Sequence, residues 1–87
     1  MEPGEIWVVD IPATDGKEQR GQRPVVLVAR LEAEMTMIIP CTSKLGARRF
    51  KHILELEPDF ENGLEKISIA LLFQMRSIDQ KRFVKKI

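Results

Sequence analysis

The clearest indication of the fold is the stretch PVVLVAR at residues 24–30, which is apolar up to its last residue, Arg30. A short run of this kind is typical of a strand that is buried on both faces, and Pro24 stands at its first position, where a strand needs no N–H donor. Two further segments rich in β-forming residues flank it, EIWVVDI at residues 5–11 and MTMIIPC at residues 35–41. The first half of the chain therefore predicts three strands.

The second half continues the pattern with short segments separated by turn residues. FKHILELE at residues 50–57 alternates, which predicts a strand with Phe50, His52, Leu54 and Leu56 on one face. KISIALLF at residues 66–73 predicts another strand, residues 75–79 continue or bend from it, and residues 81–87 form a last strand or begin a helix. Five or six short strands predict one domain over residues 1–87, a mainly β barrel or sandwich with little helix.

Length and composition exclude several classes of protein. The 87 residues are 44% hydrophobic and 31% charged, a mixture typical of a soluble globular domain. One Cys and one His exclude an internal disulfide and a tetrahedral zinc site within one chain. The apolar runs are far shorter than the ~20 residues of a membrane helix. The first five residues, MEPGE, are acidic where a signal peptide is basic, so we expect a cytoplasmic protein.

Charge is distributed in blocks although the net charge is only +1. Residues 44–54 contain Lys44, Arg48, Arg49 and Lys51 without an acid, whereas residues 55–65 contain five acids. Such a basic segment suits a local site for a polyanion on a nearly neutral body. Solvated loops and strand edges explain the same pattern equally well.

Three motifs in register resemble the PemK/MazF family of toxin endoribonucleases. The first is GEIWVVDIPATDGKEQRGQRPVVLVA at residues 4–29, the second is IPCTS at residues 39–43, and the third is IALL at residues 69–72 followed by Gln74 and RSID at residues 76–79. The resemblance implies a small SH3-like β-barrel that forms a homodimer and cleaves single-stranded RNA without a metal or other cofactor. It also implies a cognate antitoxin, commonly with an acidic C-terminal tail, that holds the toxin inactive.

The resemblance implies that Arg23 and Thr42 are the active-site pair. Arg23 directly precedes the buried run, so its backbone is fixed while its head group can reach solvent, and a guanidinium in that position suits a phosphate, bidentately. Thr42 follows the Ile-Pro-Cys segment at the end of a predicted strand, where a hydroxyl is placed to donate to a phosphoryl oxygen. Considered alone, Arg23 equally suits a loop ion pair and Thr42 a turn hydroxyl.

Cleavage without a metal requires a nucleophile from the RNA itself. The 2′-hydroxyl supplies it and leaves a 2′,3′-cyclic phosphate, which DNA cannot form. Arg23 suits stabilisation of the charged phosphorane, but an arginine that stays protonated is a poor base. Glu18, in the same polar loop at residues 12–23, is therefore the candidate for accepting the 2′-hydroxyl proton, with a solvated loop glutamate as the alternative.

Further polar residues are candidates for binding the RNA strand. Lys44, Arg48 and Arg49 follow Thr42 and would form an electrostatic groove. Hydrogen bonds to bases are expected from four residues: Gln19, Gln22, Ser43 and Gln74. We expect His52 to face the core or a strand edge because it alternates in phase with Leu54 and Leu56, and Cys41 to be a small buried side chain because no His is nearby in sequence.

Two departures from the family pattern leave an alternative function open. Many relatives have Asp directly before the Gln of the third motif, and here that position is Phe73. Relatives usually continue into a C-terminal helix, and we expect none in this chain, which stops at Ile87. The alternative is a non-catalytic module on the same barrel that binds nucleic acid or protein, either a degenerate relative or one that acts like the CcdB gyrase poisons.

Overall fold

The valine- and isoleucine-rich segments form strands in the computed structural model, which describes residues 1–12 and 21–87. The strands of these residues are β1 (Ile6–Ile11), β2 (Gly21–Arg30), β3 (Met35–Thr42), β4 (Ile53–Leu56), β5 (Ser68–Leu71), β6 (Arg76–Asp79) and β7 (Phe83–Lys86). Three short 3₁₀ helices span Leu45–Arg49, Leu72–Gln74 and Gln80–Arg82. No α-helix occurs in the described ranges. The expectation of a mainly β, small barrel-like fold with little helix is confirmed.

Strand β3 organises the sheet, whose order is β4-β5-β3-β2-β1-β7 with β6 also paired to β3. On one edge β3 pairs antiparallel with β2, for example Val25 with Pro40. Its residues Met35–Ile38 pair with β6, and Cys41 and Thr42 pair with β5. Pro40, which has no N–H to donate, lies between these two stretches, so the change of partner falls where the ladder lacks a donor.

The core consists of two clusters of buried side chains. The larger comprises Val9, Ile11, Val25, Ile38 and Ile78, with the partly buried rings of Trp7 and Phe83 packed against it. The smaller comprises Ala47, Ile69 and Leu71, with Ile53 packed against it. The smaller cluster places the 3₁₀ helix Leu45–Arg49 directly over β5, which fixes the basic segment relative to the end of β3.

A tight hairpin joins β2 to β3 and sets their register. The Met35 N–H donates to the Glu32 carbonyl at 3.1 Å, and the two central residues, Ala33 and Glu34, have φ of 55° and 58°. Two consecutive positive φ values are those of a type I′ turn, whose twist matches the right-handed twist of the strands. The hairpin sets the pairing next to it, Ala29 with Met37 and Arg30 with Thr36, and an irregularity between Leu27 and Ala29 shifts the register by one residue before the ends that carry Arg23 and Thr42.

Two segments differ from their sequence-based predictions. Strand β2 begins at Gly21 and Arg23 pairs with Val9 of β1, so Arg23 lies within a strand rather than at the end of a loop. Strand β4 begins only at Ile53, and His52 precedes it and is exposed. The predicted face is also wrong, because Ile53 packs on the smaller cluster while Leu54 is 56% exposed. As the outermost strand of the sheet, β4 has no fully covered face to impose the alternation.

Candidate functional site at the ends of β2 and β3

Arg23 is held between two strands. Its Cα pairs with Val9 of β1, and the register of β2 on β3, which includes Val25 opposite Pro40, places Arg23 opposite Thr42 when it is continued by two residues. The side chain is half-buried. A guanidinium on a strand has its stem fixed by the sheet, so its donors point in a defined direction.

Thr42 ends β3 and is only 5% exposed. The backbone N–H of Lys44 donates to its Oγ1 at 3.2 Å, and its Cα pairs with Ile69 of β5. Because Oγ1 accepts this bond, the hydroxyl proton remains available to donate to another acceptor. The local turn thus fixes the side chain and leaves its donor function usable.

Arg23 and Thr42 line one cavity of about 260 Å³, here called the Arg23 cleft. Gln22 and Ser43, both predicted to contact RNA, also line it. The lining also includes Glu65 and Lys66, which precede β5, and Ser68, the first residue of β5. The cleft thus combines cationic groups, hydroxyls and one glutamate in a space of molecular size, a composition that suits a phosphodiester.

A second cavity of about 340 Å³, here called the Arg49 cleft, adjoins the first because Thr42 lines both. Lys44, Arg49 and Gln74, three more of the predicted RNA-binding residues, line this second cleft. The buried side chains of Ala47 and Leu71 also line it. The two clefts therefore meet at Thr42, and both combine polar or charged side chains with apolar surface.

Arg48 lies apart from both clefts. Its Nε donates to Oε1 of Glu55 at 2.6 Å, and the ion pair raises the pKa of Arg48 and lowers that of Glu55. Both side chains are substantially exposed, at 49% and 37%. A guanidinium already paired with a carboxylate contributes less to the attraction of an anion than the neighbouring Lys44 and Arg49 do.

Phe73, at the family's Asp position, contacts an aromatic ring. Its centroid lies 5.0 Å from that of Phe50, with the planes tilted by 57°. Both side chains are partly exposed, at 47% for Phe73 and 38% for Phe50. The position supplies no carboxylate, and it instead supports the ring that lines the Arg49 cleft.

Cys41 and His52 match their non-catalytic interpretations in part. Cys41 is fully buried, and burial raises the pKa of its thiol to about 12, so it is no nucleophile at neutral pH. His52 is exposed rather than core-facing and lies outside the two clefts. The expectation for Cys41 as a small buried side chain is confirmed, whereas His52 faces solvent just before the sheet edge.

Glu18 and Gln19 lie outside the described residues, so their predicted roles stay predictions. Sequence reasoning missed Glu65, Lys66 and Ser68, which line the Arg23 cleft. Ser68 was detectable as the one hydroxyl in an otherwise apolar strand segment. Glu65 and Lys66 gave no local signal, because Glu65 is one of five acids in the block at residues 55–65 and Lys66 directly follows it.

Two further observations concern the described ranges as a whole. Within residues 1–12 and 21–87, no three side chains of His, Cys, Asp or Glu are grouped closely enough to hold a metal ion. Over the same residues, no helix has the length and apolar character needed to cross a membrane.

The family assignment rests on the sequence as a whole. A family model described as PemK-like, MazF-like toxin of type II toxin–antitoxin system matches residues 2–87. The match includes the strands that carry Arg23 and Thr42 and the segments that line both clefts. The chain therefore belongs to the family of PemK-like, MazF-like toxins of type II toxin–antitoxin systems.

Proposed function

We propose that this toxin is an endoribonuclease that cleaves single-stranded RNA at a phosphate bound between Arg23 and Thr42. Members of its family are typically endoribonucleases. The observation that carries the proposal is the shared cleft, in which a half-buried guanidinium and a buried hydroxyl lie at the facing ends of β2 and β3. Two such donors on rigid strands suit the charged oxygens of a phosphoryl group.

The reaction needs no metal if the RNA supplies its own nucleophile. The 2′-oxygen attacks phosphorus, the bond from phosphorus to the 5′-oxygen breaks, and a 2′,3′-cyclic phosphate forms. The 2′-hydroxyl loses its proton to a base, and the departing 5′-oxygen gains one. Arg23 stabilises the negative charge of the phosphorane, and the Thr42 hydroxyl donates to one of its oxygens.

The base is a carboxylate in this proposal. Glu18, in the polar segment of sequence that precedes Arg23, is the candidate from sequence. Glu65 is the alternative, since it lines the Arg23 cleft with Arg23 and Thr42. Phe73 cannot take this role, because its side chain has no ionisable group.

The proposed partners follow from the charge of the site. An antitoxin with an acidic, initially disordered tail would fold onto the clefts and cover Arg23, and it would order or displace the segment at residues 12–22. Lys44 and Arg49, which line the Arg49 cleft, would steer the association. We also propose a homodimer, in which partner contacts cover exposed apolar side chains such as Val84, and action in the cytoplasm.

One observation favours a second candidate, a non-catalytic module that binds RNA or protein. Phe73 places an aromatic ring where many relatives carry an acid, which removes one ionisable group from the neighbourhood of Gln74. If neither Glu18 nor Glu65 accepts the proton, the clefts would still bind an RNA strand. Binding without cleavage is the signature of this alternative.

Incubation of the purified protein with a long single-stranded RNA in the presence of EDTA tests the proposal. We expect discrete fragments whose 3′ ends are cyclic phosphates, and a matched DNA of the same sequence should stay intact because it lacks the 2′-hydroxyl. Intact RNA under conditions where the protein binds it would establish the non-catalytic alternative. Cleavage that ceases on addition of EDTA would contradict the mechanism.

A further inference from the structure

We propose that Arg49 holds a nucleobase of the RNA by stacking in the Arg49 cleft, rather than holding a phosphate. The inference rests on the endoribonuclease function proposed above and specifies how that site selects its substrate. It starts from the contacts that fix Arg49. The Cζ atom lies 4.3 Å from the centroid of the Phe50 ring, and Nη1 donates to the Gly46 carbonyl at 2.8 Å.

These contacts orient the guanidinium before any ligand arrives. Its attraction to the Phe50 ring holds it against an aromatic surface, and the bond to Gly46 fixes it within the 3₁₀ helix. Phe50 is in turn supported by Phe73, at 5.0 Å between centroids. A planar group fixed in this way loses little conformational freedom when a second planar group stacks on it.

The cleft around Arg49 has the character of a base pocket. Its volume is about 340 Å³, close to the lower end of the ~300–1,000 Å³ range of small-molecule pockets. Ala47 and Leu71, which are buried members of the smaller core cluster, line it and give a rigid apolar surface. Gln74 adds an amide capable of reading the edge of a base.

The neighbouring cation favours a division of roles. Lys44 lines the same cleft and, as a compact charge with three donors, suits a phosphate. Arg49 already uses one donor on Gly46 and lies against a ring, so its bidentate fork is less available. Because bases stack on both aromatic rings and guanidinium planes, a base beside Arg49 would extend the row formed by Phe73, Phe50 and Arg49.

The position of this base along the RNA strand follows from Thr42, which lines both clefts. With the scissile phosphate in the Arg23 cleft, the base of an adjacent nucleotide reaches the Arg49 cleft. Phe73 thereby acquires a role in place of the family's acid: it is a positioning residue that supports the Phe50–Arg49 stack. Stacking of this kind selects for the presence of a base, and Gln74 would add preference among bases.

The test begins by mapping the site that the wild-type protein cuts in a long RNA. An oligoribonucleotide spanning this site, with a 2′-deoxy sugar at the cut nucleotide, then serves as an uncleavable binding probe. In matched probes, each base flanking the cut is removed in turn to leave an abasic sugar. Dissociation constants are measured for the wild type, Arg49→Lys and Arg48→Lys. Both variants keep their charge, and Arg48→Lys changes the neighbouring arginine outside the clefts.

We expect one abasic position to weaken binding to the wild type and to Arg48→Lys by about tenfold, the usual scale of one base stack. Arg49→Lys should bind the intact probe about tenfold more weakly and should be insensitive to that same abasic position. Equal weakening of Arg49→Lys on the intact and all abasic probes would show a guanidinium contact that does not involve a base and would overturn the inference, as would unchanged affinity. If the wild type cuts no RNA, the proposed function itself fails and this inference fails with it.

Discussion

Arg23 and Thr42 lie at the adjoining ends of two antiparallel strands, each two residues beyond the pair Val25–Pro40, and line the same cleft. The register that brings these ends together is the one that holds from Leu27 to Val25, beyond an irregularity between Leu27 and Ala29. Neither residue stands on a flexible connection, since each is paired in the sheet, Arg23 with Val9 and Thr42 with Ile69. Both members of the proposed phosphate-binding pair therefore stand on paired strands.

Lys44 and Arg48 differ in their surroundings, and the salt dependence of RNA binding should distinguish them. Lys44→Ala should reduce the slope of log affinity for single-stranded RNA against log salt by about 1, because it removes a cation from the Arg49 cleft. Arg48→Ala should change the slope much less, because Glu55 already neutralises Arg48. Titrations across a range of salt concentrations measure both slopes. Equal changes for the two variants would contradict the assignment of Lys44 to the RNA groove.

The base of the reaction is tested by two glutamate variants. Glu18→Gln should lower the single-turnover cleavage rate by about a hundredfold, the lower end of the usual contribution of a general base. Glu65→Gln is the comparison, and we expect a loss of less than about tenfold, because Glu65 would then contribute only its charge to the cleft. The opposite result would transfer the role of base to Glu65.

Gly4 and Gly63 both have positive φ, so their alanine variants form a matched pair that tests the effect of a close backbone contact on stability. Gly4 has φ of +92°, and a Cβ added there would have no heavy atom within 4 Å. Gly4→Ala should therefore cost about 1–2 kcal/mol of unfolding free energy through backbone strain alone. At Gly63, with φ of +70°, a Cβ would lie 2.3 Å from the carbonyl carbon of Ile87. Gly63→Ala should therefore cost at least about 1 kcal/mol more than Gly4→Ala. Equal losses in urea denaturation would show that the approach of Ile87 to Gly63 is not tight.

Stability at acid pH should depend on Glu5. The Glu2 backbone N–H, the Lys86 ammonium and the Trp7 indole N–H all donate to its carboxylate, and they lower its pKa from 4.5 to about 2. Because the folded-state pKa is depressed, the stabilisation is present above about pH 4.5 and is lost as pH falls through about 2. Glu5→Gln should flatten the fall in denaturation midpoint across this window. Glu2→Gln, which keeps the Glu2 N–H, is the control, and an acid profile of Glu5→Gln identical to that of the wild type would contradict the prediction.

Much of the fold was predictable because its strands are apolar and short. Residues 24–30 and 35–41 are strands in the structure, since β2 and β3 lie in the middle of the sheet, where burial enforces the pattern. β4 was misplaced because it is the outermost strand, where Leu54 remains exposed without penalty. The alternation of apolar and polar residues predicts which side chains are buried only where one face of the strand is covered.

The site was predictable to a lesser extent. Motif resemblance identified Arg23 and Thr42 as candidates, and the antiparallel pairing of β2 with β3, which extends to Val25 and Pro40, explains why they share a cleft. The contact of Phe50 with Phe73 joins residues that are far apart in sequence and depends on where two 3₁₀ helices begin and end. Local sequence patterns contain no information on such a contact, so the Arg49 cleft emerged only from the structure.

The most direct test of the central claim is a double-mutant cycle on single-turnover RNA cleavage with Arg23→Ala and Thr42→Val. If both side chains bind one phosphoryl group, Arg23→Ala should slow cleavage by about a hundredfold or more, Thr42→Val by less, and the double variant little more than Arg23→Ala alone. Thr36→Val, which removes a buried hydroxyl at the other end of β3, should cleave at the wild-type rate. Independent, multiplicative losses, or an Arg23→Ala protein that cuts at the wild-type rate, would contradict a shared phosphate site.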